Sequence, residues 1–340
     1  MTTVIQSLDT IREVIIAALR AHGADADNAA AVARTLVAAE ADGCQTHGLF
    51  RVAGYCRSMA SGKVNGAAKP SVTRLGPGAV RVNGDGGWSS LPLEASYDPL
   101  AEAAAETGVA AAAIVNMFHY AALWPEVEAM ARRGYVALAC TAYKPVVAPF
   151  GGNMPFYGTD PLAFAWPRGP HGSDTDPVVF DFATSAIARG EVQVAMRDGH
   201  QMAPGTGLDK NGNPTTDPAE ILDGMMLPFG GYKGSLIMMM VELLCSSLIG
   251  EQFSFEAGET DVEDGGPARG GEFLLAIDPT RFAGDGWAEH GERFFARLGA
   301  IDGVHIPGDR RYQNRRQTPV DGCSVPLALW AEVEALAGHG

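Results

Sequence analysis

In the stretch ADGCQTHGLFRVAGYC, residues 41 to 56, His47 and Arg51 stand four residues apart, after a short polar run and ahead of an apolar helical pattern. That pattern predicts a helix beginning near Thr46 and running to about Met59. Residues i and i+4 share a helix face, so both side chains could reach one small ligand. A guanidinium grips a carboxylate through two parallel hydrogen bonds, and an imidazole trades protons near neutral pH without help. The Thr46 hydroxyl could bond either the imidazole or the ligand. The same residues also make an ordinary helix start with a surface Arg and an incidental His, and spacing alone does not separate the two.

Three further stretches could carry chemistry. In LPFGGYKGSLIMMM, a Gly-rich turn containing Lys233 feeds directly into an apolar helix, which gathers free N–H groups, a helix dipole and a cation at one point. That is a recipe for holding phosphate, although a tight turn into a core helix reads the same way. In IPGDRRYQNRR, Arg310, Arg311, Arg315 and Arg316 cluster within an acidic chain. They suggest an anion site involving some of the four, or else a solvated helix face paired with local acids. In GGNMPFYGTDPLAFAWP and VVFDFATSAIARGEVQVA, glycines, Thr159, Asp181, Arg189 and Glu191 fall at the ends of apolar runs, where α/β proteins usually bind ligands. No G-x-G-x-x-G lies between a strand and a helix, so a Rossmann dinucleotide site is unsupported. H-E-x-x-H, G-x-S-x-G and a His/Cys metal cluster are also missing, and no metal is expected.

The chain that must position these residues has 340 residues, 46% hydrophobic and 19% charged, which suits a globular protein with a sizeable core. A net charge of −15 argues against nucleic acid or an anionic membrane as partner and leaves any anionic ligand to a local basic cluster. Cys44, Cys56, Cys140, Cys245 and Cys323 are scattered and form no C-x-x-C pair, which fits a reducing cytoplasm better than a disulfide framework. Asp9, Arg12 and Glu13 interrupt the first apolar residues, against a signal peptide. SLIMMMVELLCSSLIG (235–250) contains Glu242 and is too short to span a bilayer, so a buried helix is expected there.

TIREVIIAALRAHG opens with Thr10 and Glu13 at capping-box spacing and stops at Gly23; DNAAAVARTLVAAEADG is a second helix stopping at Gly43. VTRLGPGAVRVNGDGG (72–87) alternates as a strand pair around Gly-Pro-Gly. Strand-length apolar runs follow at 108–115, 134–142, 160–167, 177–185 and 272–279, with the helix WPEVEAMARRG among them and Pro125 in its first turn. The expected architecture is a helical lobe over residues 1–71, joined by 300–340, and an α/β body over 72–299. EAGETDVEDGGPARGGE (256–272) reads as a mobile acidic surface loop.

DGCQTHGLFR, VAPFGGNMPFYGTDPLAF, FDFATSAIARGEV, GNPTTDP, LPFGGYKGS and IPGDRR occur in an order that resembles the malate/L-lactate dehydrogenase-like oxidoreductases, over roughly residues 5 to 316. FHYAALWPEVE, TSAIARGEVQVA and EQFSFE most resemble the Δ1-piperideine-2-carboxylate/Δ1-pyrroline-2-carboxylate reductases within that family. The resemblance implies a nicotinamide-binding α/β fold that is not a Rossmann fold, with a helical lobe. It implies reduction of the C=N bond of a cyclic imino acid to L-pipecolate or L-proline, with NADPH preferred and NADH possible, by a homodimer.

By the same resemblance His47 matches the proton donor, Thr46 a relay hydroxyl where the family usually has Ser, and Glu191 a relay acid where close relatives have Asp. Arg51 matches the residue for the substrate carboxylate; Thr159, Arg189 and Gly190 match substrate-side positions. Phe118, His119, Tyr120, Ala121, Ala122, Asp181, Phe182, Ala183, Tyr232, Lys233, His305, Ile306, Pro307, Gly308, Asp309, Arg310 and Arg311 match cofactor-binding positions. Arg189 replaces a His and Asp160 replaces an Asn of the family pattern, and both are expected to affect the substrate's size or charge. Two alternatives stand beside this reading: a 2-oxo acid reductase (malate/lactate-type dehydrogenase) of the same family, which His47 and Arg51 would serve equally well, and a non-catalytic oligomeric binding protein.

Overall fold

The computed structural model describes residues 2–169, 173–262 and 264–338. A short strand, β1 (Thr3–Gln6), leads into α1 (Leu8–Ala21). The helix is capped by Ser7, whose hydroxyl accepts the Thr10 N–H, so the cap falls one turn before the expected Thr10–Glu13 pair. Ile11, Val14, Ile15, Ala18 and Leu19 form its buried stripe. Helix α2 (Ala26–Ala41) starts at the Asp25 cap, and α3 (Val52–Ala60) comes after the segment that carries His47 and Arg51.

The body then alternates strands and helices: β2 (Ser71–Gly76), β3 (Ala79–Trp88), α4 (Ser90–Thr107), β4 (Val109–Phe118), α5 (Trp124–Arg132), β5 (Val136–Thr141), β6 (Leu162–Trp166) and β7 (Val178–Phe182). Beyond α6 (Arg189–Asp198), a small sheet is built from β8 (Gly207–Leu208), β9 (Pro214–Thr215) and, after α7 (Pro218–Asp223), β10 (Met225–Met226). Then come α8 (Tyr232–Glu242), α9 (Ser254–Thr260), β11 (Arg269–Ile277), α10 (Pro279–Ala283), α11 (Trp287–Gly299), α12 (Asp309–Asp321), β12 (Cys323–Pro326) and α13 (Leu327–Leu336).

Seven strands make one sheet in the order β2-β3-β4-β11-β5-β6-β7. Every pair is antiparallel except β3 and β4, which α4 joins as a crossover. Alternate residues of the central strands, among them Ala112, Ile114, Ala139 and Leu274, are buried against α4 and α5. The other face packs Cys140 on Val241 and Cys245, at the end of α8 and just after it. All five cysteines are free thiols. A second core holds α1, α2 and α3 together with Trp88 and Phe118 from the ends of β3 and β4, and with Cys323, Val325, Trp330 and Val333 from the last two elements. Strand β12 pairs with β1, so the two ends of the described chain close the same lobe.

Two expectations need correcting. The apolar run of α8 is not buried throughout: Met238 and Val241 face inward, but Leu236, Met239, Met240 and Leu243 are 41–53% exposed. A helix that is apolar all round has no face suited to water, and a single chain covers only one side of it. The acidic stretch 256–272 is not a free loop either, since it holds part of α9 and then folds back onto the lobe. Lys63 donates to Asp264 Oδ1 at 2.6 Å, Asp261 Oδ1 at 3.2 Å and the Pro267 carbonyl at 2.7 Å, while Lys144 donates to Asp261 Oδ2 at 2.9 Å. No described helix is long and apolar enough to cross a membrane.

The Lys63 ammonium and both Asp side chains are at most 8% exposed, so a Lys63→Met substitution leaves Asp264 buried without its cation and Asp261 with Lys144 alone. Loss of one partner from a buried pair costs about 3–5 kcal/mol. The expected outcome is a lower urea midpoint together with new proteolytic cleavage within 261–267. An unchanged midpoint would refute the clamp.

Candidate active site

Helix α2 ends at the Asp42 cap, and Gly43, at φ +75°, turns the chain. The chain then makes two 3₁₀ turns, Gln45–His47 and Leu49–Arg51, meeting at Gly48, and not the single helix expected from Thr46 onward. The physical reason is Glu40. Its Oε1 accepts the Leu49 N–H at 2.7 Å, and a Cβ added at Gly48 would lie 2.0 Å from that oxygen. Only glycine lets the backbone approach the carboxyl so closely. Glu40 is buried, and the loss of hydration pushes its carboxyl up to about 7, against the lowering effect of the Leu49 hydrogen bond.

The turns nevertheless deliver Thr46, His47 and Arg51 to one cavity of about 740 Å³ at one end of the large sheet. His47 Nδ1 lies 3.1 Å from Thr46 Oγ1, and the ring meets Trp124 edge-on at 6.3 Å. Arg51 donates Nε–H to the Thr46 carbonyl at 2.8 Å and lays its guanidinium over Tyr120 at 4.8 Å. Its two terminal nitrogens have no bonded acceptor among the described residues and are left for a ligand. His47 is neutral in this setting. Burial, then the Arg51 cation, then His119 lower its imidazole to about 3.

His119, Tyr120, Ala121, Ala122, Thr159, Asp181, Phe182, Ala183, Arg189, Gly190 and Glu191 line the same cavity. Glu191 stands in the first turn of α6 with an exposed side chain; the imidazole's side-chain hydrogen bond runs to Thr46 and not to it. Phe118 is outside, buried in the lobe core. Tyr232 and Lys233 open α8 on the exposed surface away from the cavity lining. His305, Ile306, Pro307, Gly308, Asp309 and Arg310 run beside β7, with the Pro307 carbonyl 3.4 Å from Val179 N, and leave Arg311 to approach the site. Arg311 Nη2 is 3.6 Å from Asp181 Oδ1, and its guanidinium stacks on Trp124 at 4.6 Å. The rest of the arginine cluster divides by role: Arg315 and Arg316 are ion-paired to Asp42, Glu128 and Asp176. Asp160, expected to affect the substrate's size or charge, is fully buried beside Glu242 and Cys140. Its φ of +39° is one that Asp and Asn tolerate better than most residues.

Other residues emerge only in the fold. Tyr143, Lys144 and Gln193 line the cavity, and Gly265 reaches it from the clamped acidic segment. Tyr143 and Lys144 directly follow β5, and a strand end was the signal that could have found them. Behind the site, His119, Glu126 and Glu272 bring ligand atoms within 4.8 Å of one another. No sequence motif marks this group, because the three come from a loop, a helix and a strand far apart in the chain. Burial pushes the Glu272 carboxyl well up, and the neighbouring Glu126 adds to the effect.

A family model described as malate/L-lactate dehydrogenase matches residues 6–334. The chain belongs to that family. A Δ1-pyrroline-2-carboxylate reductase of Ancylobacter novellus is 42% identical over 97% of this chain and 95% of its own length. A Δ1-pyrroline-2-carboxylate/Δ1-piperideine-2-carboxylate reductase of Pseudomonas aeruginosa is 42% identical over 97% of this chain and 98% of its own. Among solved structures, a Δ1-piperideine-2-carboxylate reductase from Pseudomonas syringae superposes with a TM-score of 0.93 at 38% identity, covering 98% of this chain and 100% of that one. The fold is therefore the mixed α/β fold of the malate/L-lactate dehydrogenase family.

Because Arg51 lowers the His47 imidazole, removing that cation must raise it. In Arg51→Met the His47 ring proton, followed by NMR, is expected to titrate at higher pH than in the wild type. A midpoint that stays put or falls would show that Arg51 exerts no field on the imidazole.

Proposed function

We propose that this family member reduces the C=N bond of a cyclic imino acid, Δ1-pyrroline-2-carboxylate or Δ1-piperideine-2-carboxylate, with His47 as proton donor and NADPH as the preferred cofactor. The observation that carries the reading is the shared cavity of Arg51 and His47, a free guanidinium fork beside an imidazole held by Thr46. The relatives named for these substrates support the choice of C=N over C=O.

The cavity suits an anionic dinucleotide. Arg311 Nη1 is buried without a hydrogen-bond partner, and the Asp181 carboxylate stands next to it, a pairing that can meet a phosphate on one side and a sugar hydroxyl on the other. Arg311, Asp181 and the backbone of His119–Ala122 would hold the cofactor, and the exposed Arg310 would add charge for a further phosphate. A bound dihydronicotinamide supplies hydride to the imine carbon.

The chain's own residues do the rest. Arg51 takes the carboxylate that sits on the imine carbon and thereby fixes which face of the ring is presented. Docking an anion there cancels the nearby positive charge that helps keep His47 neutral, so the imidazole is raised as the substrate arrives and can carry the proton. A proton at the imine nitrogen makes the carbon electrophilic, and reduction then adds one hydride to carbon and leaves that proton on nitrogen. Thr46 orients the ring through Nδ1, leaving Nε2 for the transfer. Glu191, exposed in the first turn of α6 on the cavity wall, would resupply protons from water.

A second copy of the chain would cover the exposed row Leu236, Met239, Met240 and Leu243 of α8. Size-exclusion with light scattering is expected to give twice the chain mass for the wild type and a shift toward one chain in Met240→Glu; a Met240→Glu dimer would place the interface elsewhere.

The activity is tested by NADPH consumption with the two cyclic imines, pyruvate and oxaloacetate. Turnover is expected with the imines, and His47→Ala should lower kcat/KM by about 10²–10⁴-fold, the usual scale for a positioned proton donor. Turnover of the oxo acids alone would transfer the protein to the dehydrogenase reading.

A further inference from the structure

The cavity holds a second arginine with no counter-ion. Arg189 opens α6 half-buried on the cavity wall, and its side chain has no hydrogen bond or ion pair with any described residue. In a chain with a net charge of −15 this is unusual housing for a cation. Burial lowers the Arg189 guanidinium, with only the Tyr143 phenol acting in the opposite direction. A cation partly withdrawn from water and left unpaired gains from any anion that enters the cavity beside it.

Arg189 lies at the Arg51 end of the cavity. Tyr143 feels both guanidiniums, Arg51 stacks on Tyr120, and a Cβ on the adjoining Gly190 would come within 3.7 Å of Arg51 Nη2. The other arginine of the cavity region, Arg311, stands with Asp181 and Trp124, where the cofactor was assigned. Two free forks therefore face one small-molecule volume, and a carboxylate gripped through both oxygens by Arg51 leaves Arg189 free for a second anion.

We infer that Arg189 forms a second anion subsite, and that the preferred substrate is a cyclic imino acid bearing a second carboxylate on its ring. Arg51 takes the carboxylate on the imine carbon, and Arg189 takes the distal one. The inference rests on the proposed imine reduction for its chemistry, but the subsite can be measured without turnover.

Two experiments separate the claims. Calorimetry compares pyridine-2,6-dicarboxylate with pyridine-2-carboxylate, two flat unreactive rings, on the wild type and Arg189→Met in the presence of NADP⁺. The dicarboxylate is expected to bind about 10- to 100-fold more tightly to the wild type, the scale of one charge-assisted hydrogen-bonded pair, and that ratio should collapse in the variant. Kinetics then compare Δ1-piperideine-2,6-dicarboxylate with Δ1-piperideine-2-carboxylate. The ratio of their kcat/KM values should fall by a similar factor in Arg189→Met and recover in part in Arg189→Lys. Equal affinity of the two pyridines for the wild type, or a ratio indifferent to residue 189, overturns the subsite. Normal dicarboxylate binding with no turnover of either imine supports the subsite and refutes the imine chemistry instead.

Discussion

Arg315 joins the parts of this molecule that would otherwise have no fixed relation. From α12 it donates to both oxygens of Asp42, at 2.8 and 2.7 Å, and to both oxygens of Glu128, at 2.6 and 2.9 Å. Asp42 caps α2 in the lobe, while Glu128 lies on α5 in the body. Asp42 also accepts the Trp124 indole N–H at 3.1 Å. The planar fork of an arginine is the side chain able to serve two carboxylates in this way. Immediately after Asp42 the chain turns into the segment bearing Thr46, His47 and Arg51, and Trp124 contacts both His47 and Arg311. Holding that one guanidinium in place thus sets the distance between the lobe's chemistry and the body's cavity.

Around the cavity the charges follow a simple division. Acidic groups outnumber basic ones across the chain, and most arginines near the surface are spent on them, as at Arg34–Glu94, Arg132–Asp176 and Arg168–Glu292. Arg51 and Arg189 are kept apart from acids, and the site therefore presents positive charge locally on a molecule that repels anions globally. Such a local field supplies the attraction that an anionic ligand needs against the net negative charge of the rest of the chain.

Much of the fold was legible from the sequence. The five apolar runs from 108 onward became β4, β5, β6, β7 and β11, since alternation and turn residues report a strand whatever its neighbours. The helix at Trp124 with Pro125 in its first turn was equally readable. The misses share a cause. The break at Gly48 depends on a carboxylate eight positions earlier in the chain, and the clamp on the acidic segment depends on Lys63 and Lys144 from distant elements. Asp160 stood out in the sequence only as a departure from the family pattern, and its burial beside Glu242 and Cys140 depends on elements far along the chain. Local pattern identifies elements, and partners across the fold decide where their side chains point. The resemblance to a family supplied roles for His47 and Arg51 that their spacing alone left open.

The closeness of Gly48 to Glu40 has a consequence for how such a chain can diverge. A Cβ at 48 and a long acid at 40 compete for one volume, so neither position is free to drift while the other stays fixed. A lineage that shortened the acid would lose the Leu49 bond before it gained any tolerance at 48, and a lineage that enlarged 48 would expel the acid. The two sites form a historical lock: intermediates with only one change carry a defect in the segment that positions His47. Arg189, by contrast, has no hydrogen bond or ion pair with any described residue, so a change there meets no such lock and can occur in a single step.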